Sequence, residues 1–335
     1  MKKIVFILCL LCCFACSKTS NEQSSTVLSY YYWRTNFDLD EIEKNSLKEL
    51  NVKKLYIRYF DIALKGEQAI PVRPIIFNQQ PPLLEVVPVI YIKNEVMLKE
   101  HLNTRELAEH LVDFISQINE KNNIDSQEIQ LDCDWSLQSR DHFFTLIEEL
   151  KKVTDWKISS TIRLHQVKYA SKTGVPVVDH GALMYYNMGR IGADTLNSIY
   201  DQSIAKKYIG ALDDYPLRLD YALPIYAWAI QIRDKQVVRL ISRVREKEVE
   251  KLKGIRKVSS NRFVVEQEGM YFGQLFEKGD EIKIETTSDV QLKEMIKDLY
   301  EVTDKRPQEI ILYDLNSKNI IVYDKETFKE MANSR

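Results

Sequence analysis

Residues 128–150 read EIQLDCDWSLQSRDHFFTLIEEL, an alternation of apolar and acidic residues that gives way after Trp135 to helical periodicity. The period of two places Gln130, Asp132, Asp134 and Ser136 on one face of a strand and Leu131, Cys133 and Trp135 on the other. In the segment that follows, Ser139 fits a helix N-cap, and Phe143, Phe144, Ile147 and Leu150 share one face. Carboxylates are costly to bury unless they are hydrogen-bonded or paired. The acidic face of this strand must therefore look onto cationic partners or onto a ligand.

Working outward, short runs rich in Val, Ile and Tyr alternate with helical patterns. The strand candidates are residues 27–35, 54–62, 84–92, 128–135, 157–164, 182–188, 218–228 and 309–315. Helical patterns cover 38–50, 104–119, 139–153, 195–209 and 289–302. Eight strands separated by helices predict an α/β fold, a (β/α)8 TIM barrel, with active-site groups at the C-terminal strand ends. Two segments interrupt the rhythm. Residues 63–83 are dotted with prolines and are expected to be a loop at the barrel mouth. Residues 239–287 combine a charged helical pattern with alternation suited to antiparallel strands. They are expected to form an insertion, or a small subdomain, between strands 7 and 8.

The N-terminus predicts a different role for its residues. MKKIVFILCLLCCFACSK opens with the lysine pair Lys2-Lys3, followed by a short apolar run and a small residue before Cys16. The segment Cys13-Phe14-Ala15-Cys16 resembles a bacterial lipobox, which implies a signal peptide over 1–16 and a lipid on Cys16. Ser17 after that cysteine resembles outer-membrane sorting, and polar residues 17–26 read as a flexible tether. The membrane is thus an expected partner through a lipid anchor, and the cell envelope the expected location. Of the 5 cysteines only Cys133 lies in the folded part, residues 27–335, so no disulfide is expected there. A formal net charge of -2 excludes the polycationic footprint of a nucleic-acid binder. No phosphate-cradling glycine loop, Ser-His-Asp order or metal-ligand spacing stands out, and the chain has only 5 His, so neither cofactor nor metal is expected.

IQLDCDWS resembles the fourth strand of family-18 glycoside hydrolases, the chitinases and endo-β-N-acetylglucosaminidases, whose motif there is Asp-x-x-Asp-x-Asp-x-Glu. Asp132 and Asp134 match its second and third acidic positions; Ile129 stands in place of the first Asp, and Ser136 in place of the catalytic Glu. LMYYNMG resembles the Met-x-Tyr-Asp/Asn segment of the sixth strand, through Met184, Tyr186 and Asn187, and ALPIYAW a late Leu-Pro-hydrophobic-Tyr strand. The resemblance implies a carbohydrate ligand, including one with N-acetyl groups. It also implies that Asp132, Asp134 and Tyr186 stand where catalytic residues would, with Asn187, Met184 and Ser136 beside the substrate. A serine lacks a proton of suitable pKa for a leaving oxygen. Hydrolysis would then need another acid, from Asp134, Asp61, Asp179 or Asp220, and a non-catalytic glycan-binding or scaffolding relative is the alternative.

The residues add further candidates. Arg163 and His165 end the fifth strand on one face; Arg58 shares a face with Tyr56 and Phe60 and is expected to meet an acid such as Asp132. Trp33 and Trp228 sit at strand ends where a sugar ring could stack, whereas Trp135 is expected to pack under helices. The whole chain also resembles Bacteroidota-type lipoproteins that share IQxDCDW, TIRLHQ, GVPxVD and YNMG segments.

Overall fold

A computed structural model describes residues 26–334; the expected signal segment, Cys16 and nearly all of the tether lie outside the described residues. Eight strands form the barrel: β1 (Val27–Tyr32), β2 (Lys54–Lys65), β3 (Glu85–Ile92), β4 (Glu128–Cys133), β5 (Lys157–Arg163), β6 (His180–Met184), β7 (Leu219–Pro224) and β8 (Glu309–Tyr313). Each pairs in parallel with its sequence neighbours, and β1 pairs with both β8 and β2, which closes the cylinder. The predicted TIM barrel is the fold.

Two hydrophobic layers follow from the period of two. Leu131, Cys133 and Trp135 join the outer layer, where Trp135 stacks on Phe143 with ring centroids 5.1 Å apart. Tyr31, Tyr56, Val87, Val89, Ala182, Ala222 and Ile311 fill the barrel interior. Helices Glu41–Glu49, Thr104–Asn122, Arg140–Val153, Gln202–Ile209, Asp289–Val302 and Lys325–Asn333 cover the outside. The pattern expected to start at 195 becomes helical only at Gln202, capped by Asp201.

No helix follows β2. Instead of the proline-dotted loop expected after it, β2 runs on to Lys65 and turns back as Gln68–Val72, paired antiparallel from Asp61–Val72 to Lys65–Gln68. The insertion also begins earlier than 239. Ala227 and Trp228, expected to end the seventh barrel strand, instead begin Ala227–Arg233, an inner strand of a five-stranded antiparallel sheet that runs to Thr286 and has its own core around Phe263, Ile282 and Ile284. Pro224 ends β7, after which the chain leaves the barrel.

The N-terminal end of the barrel is closed by charge. His180 at the start of β6 lies 2.9 Å from Glu128 on β4 and 2.9 Å from Asp220 on β7. Lys54 reaches Glu309 at 2.8 Å and Glu128 at 3.3 Å, while Ser159 and Ser29 donate to Glu128 and Glu309 at 2.6 and 2.7 Å. Burial disfavours the imidazolium, but the hydrogen bonds it donates to the Asp220 and Glu128 carboxylates overcome it and hold His180 at about 9. Burial likewise opposes the Glu128 carboxylate, and His180 and Lys54 bring it down to about 2. Each of these three carboxylates thus has a cation at contact distance, as buried charge requires.

Candidate functional site

The opposite, C-terminal end holds a cleft of about 360 Å³. Its floor follows from strand alternation. Asp132, the fifth residue of β4, points inward and accepts a hydrogen bond from Thr161 on β5 at 2.8 Å. Burial raises the Asp132 carboxyl to about 6, against the opposing pull of Arg163 and the Thr161 hydrogen bond. Asp134, two residues on, has left the strand and stands at the rim with 44% of its side chain exposed; Arg163 grips it through Nε and, at 2.5 Å, through Nη2. This bidentate fork fixes the guanidinium across the mouth.

Aromatic rings make the walls. Tyr186 and Tyr313 stack at 5.5 Å, Trp33 lies 5.6 Å from Tyr313, and Tyr226 lies 5.2 Å from Trp228. Burial, and then the Asp132 charge, pushes the Tyr186 phenol far above its ordinary range, so it stays a neutral donor. Asn187 takes a left-handed backbone (φ 53°), which asparagine tolerates, and its Oδ1 accepts from the Tyr226 hydroxyl at 2.6 Å. Trp228 comes from the inserted sheet, where its indole donates to buried Glu285 at 2.9 Å. The insertion also supplies Ser242 and Arg243, and Arg243 meets Asp314 at 3.3 Å. Burial raises the Asp314 carboxyl, and Arg243 counters it.

Of the residues singled out in the sequence, Asp132, Arg163, Met184, Tyr186, Asn187, Trp33 and Trp228 line one cleft, with Asp134 at its edge. Three do not. Ser136 begins the turn into the next helix; its N–H donates to Ser139 Oγ at 2.8 Å, and that oxygen donates to Asn94 at 2.5 Å. Ser139 therefore ties the turn together and makes no side-chain bond to the helix it precedes. His165 is exposed, because β5 stops at Arg163 and Leu164–Lys168 is helical, so the period of two no longer applies.

Arg58 meets Asp61, at 2.7 Å through Nε, and not Asp132. The cause is a register shift in β2 between Arg58 and Phe60, which sends Phe60 outward to Phe114 and turns Arg58 and Asp61 inward together. The other acids considered lie elsewhere. Asp220 belongs to the N-terminal cluster, and Asp179 accepts the Ile158 N–H at 2.8 Å just before β6.

Sequence reading missed Tyr31, Thr161, Tyr226, Arg243, Tyr313 and Asp314. Thr161 and Tyr31 lie two residues before Arg163 and Trp33, so alternation carried the signal; Asp314 directly follows the last residue of β8. Nothing local marks Arg243, which arrives from the inserted sheet. Among the described residues no group of three or more His, Cys, Asp or Glu side chains is placed to hold a metal ion.

Comparison with solved structures places this barrel among similar ones. It is similar to the spore cortex-lytic enzyme SleL of Bacillus cereus (TM-score 0.54, 13% identity, covering 92% of this chain and 74% of that one). It is also similar to the class V chitinase of Nicotiana tobaccum (TM-score 0.53, 10% identity, 91% of this chain and 99% of that one). A third is the GH18 chitinase of Cycas revoluta, solved with (GlcNAc)3 (TM-score 0.54, 10% identity, 92% and 99%). At such identities the likeness establishes the fold. No protein-family model matches the chain, and no curated protein matches it in sequence.

Proposed function

We propose that the cleft binds a carbohydrate, including N-acetylated sugars, without family-18 hydrolysis. The observation that carries this is the cleft itself. Trp33, Tyr186, Trp228 and Tyr313 offer apolar ring faces, and Asp132, Arg163 and Asn187 offer hydrogen-bonding groups between them. Stacking on aromatic faces combined with a few placed polar groups suits a sugar's mixed surface. The Cycas revoluta neighbour was solved with an N-acetylglucosamine trisaccharide, which fits the same ligand class. Ser136 favours binding over hydrolysis. It stands where the resemblance expects the acid, yet its contacts are with Ser139, outside the cleft lining.

Hydrolysis by another route has one observation in its favour, a carboxyl at Asp132 held at about 6, where it can carry a proton near neutrality. Soluble protein from residue 24 onward, mixed with an oligosaccharide panel, separates the two by retention alone or by product release. Asp134→Asn and Tyr186→Phe are each expected to weaken retention about tenfold; unchanged retention in both would remove the sugar from this cleft.

The location belongs to the same proposal. A lipid on Cys16 and a tether over 17–26 would hold the barrel at the outer membrane, as in the Bacteroidota-type lipoproteins that the chain resembles. Radiolabelled palmitate should mark the wild-type protein and not Cys16→Ala; equal labelling of the two would refute the anchor.

A further inference from the structure

Arg58 is out of place in the cleft just described, and its actual surroundings form a second compartment. Asp61, Tyr91 and Asp132 sit in register on β2, β3 and β4, at one level of the barrel wall. Asp132 opens onto the main cleft, whereas Asp61 opens onto a side pocket of about 260 Å³ that shares Trp33 with it. Trp33 and Tyr91 stand between the two.

Two guanidiniums converge on the one carboxylate in that side pocket. Arg58 Nε donates to Asp61 Oδ1 at 2.7 Å, its Nη1 donates to the Arg73 carbonyl at 3.2 Å, and Arg73 Nη2 takes Asp61 Oδ2. Arg58 and Asp61 are almost fully buried, with side chains 5% and 1% exposed, while Arg73 is 64% exposed. Arg58 Nη2 lies 2.5 Å from Asp61 Oδ1 but has no hydrogen bond of acceptable geometry. Two cations against one anion leave one positive charge beside the cleft. Arg73 takes a left-handed backbone (φ 52°), unusual for a side chain other than Gly or Asn and a cost that functional sites tolerate.

We propose that this pocket is a subsite for an acidic substituent, so that the ligand of the main cleft is a sugar bearing a carboxylate, sulfate or phosphate. The inference rests on the carbohydrate reading and narrows it. A ring seated between Trp33 and Tyr186 would extend its anionic group past Trp33. There the free donors of the exposed Arg73 supply charge-assisted hydrogen bonds, and the buried Arg58 guanidinium holds the Asp61 carboxylate beside them. Arginine suits this task because its planar fork matches such anions.

The test uses the soluble protein and immobilised oligosaccharides in matched pairs. Each neutral sugar has a counterpart carrying a carboxylate, and others carrying a sulfate or a phosphate, so that the arms distinguish the anions. Acidic members should bind about tenfold or more tightly than their neutral partners, with a preference that shrinks as salt rises. In Arg73→Gln, an exposed position whose change spares the Arg58–Asp61 pair, the acidic-to-neutral ratio should fall toward one. Equal binding of both members of each pair, or a ratio unmoved by Arg73→Gln, overturns the subsite and leaves the carbohydrate reading intact. Binding of no sugar in either form overturns both.

Discussion

At the N-terminal end of the barrel, Glu128, Asp220 and Glu309 meet Lys54 and His180 at hydrogen-bond distances. At the C-terminal end, Asp132, Asp134 and Asp314 meet Arg163 and Arg243 around an open volume of about 360 Å³. The residue types are alike, and Glu128 and Asp132 lie on the same strand, four positions apart. Their electrostatic outcomes differ because of what fills the space between them. In the first cluster every carboxylate has a cation at contact distance, so burial is compensated and Glu128 stays ionised. In the second, Asp132 has a hydroxyl as its direct partner while Arg163 is committed to Asp134, and its carboxyl is pushed up toward neutrality. Incomplete pairing at the open end leaves groups available for a ligand, which is the usual difference between the stabilising and functional faces of such a barrel.

The largest expected effect comes from breaking the matched end. His180→Leu would leave Glu128 and Asp220 facing each other in a buried site with one cation fewer, at a cost of about 3–5 kcal/mol in unfolding free energy. Urea denaturation measures it. A loss below ~1 kcal/mol would mean that this cluster is solvated and that the contrast between the ends is false.

The pH dependence of stability sharpens the contrast between the two β4 carboxylates, since Glu128 at one end and Asp132 at the other should respond with opposite sign. His180 is raised from 6.5 to about 9 in the fold, so its contribution is fully present below pH 6.5 and fades as pH rises through 9. Glu128 is lowered from 4.5 to about 2, so its contribution is present above pH 4.5 and is lost as pH falls toward 2. Asp132 is raised from 3.8 to about 6, so proton uptake there stabilises the fold as pH falls from 6 to 3.8. Asp132→Asn should therefore raise stability at pH 7.5, by about 1–2 kcal/mol, and flatten the profile between pH 4 and 6. Thermal unfolding across that range checks both. A variant less stable than wild type at pH 7.5 would show that the ionised carboxylate is better served by Arg163 than burial suggests.

The sequence made these two ends unequally legible. All eight barrel strands were readable, because β-branched and aromatic runs between helical patterns leave little else for the chain to do. The face of β4 was readable too, since Gln130 and Asp132 keep strict alternation within one strand. What failed did so where alternation breaks. A bulge in β2 put Arg58 with Asp61, a helix claimed His165 directly after Arg163, and the turn after Trp135 carried Ser136 away from the line through Asp132 and Asp134. The charge cluster at the closed end escaped notice for a different reason. Its members come from separate strands and are brought together only by barrel closure, so all but Asp220, which was weighed as a candidate acid, looked like ordinary polar residues at strand starts.

The smallest expected effect concerns Ser136, where resemblance and geometry pull apart. If its position still belonged to a working site, removing the hydroxyl would be felt by the ligand. Its Oγ, however, lies 3.2 Å from Ser139 Oγ, which already accepts the Ser136 N–H and donates to Asn94. Ser136→Ala strands no buried donor or acceptor, because the turn remains held by the backbone N–H and by Asn94. Both unfolding free energy and glycan affinity should then shift by less than about 0.5 kcal/mol, the range of surface changes that leave no group unsatisfied. Ser139→Ala, by contrast, removes the hub of that turn and should cost about 1 kcal/mol of stability. Calorimetric titration with any sugar retained by the wild type reads the first variant directly. A tenfold loss of affinity in Ser136→Ala would bring that position back within reach of the ligand, and would reopen the question of whether the open end of the barrel performs chemistry as well as binding.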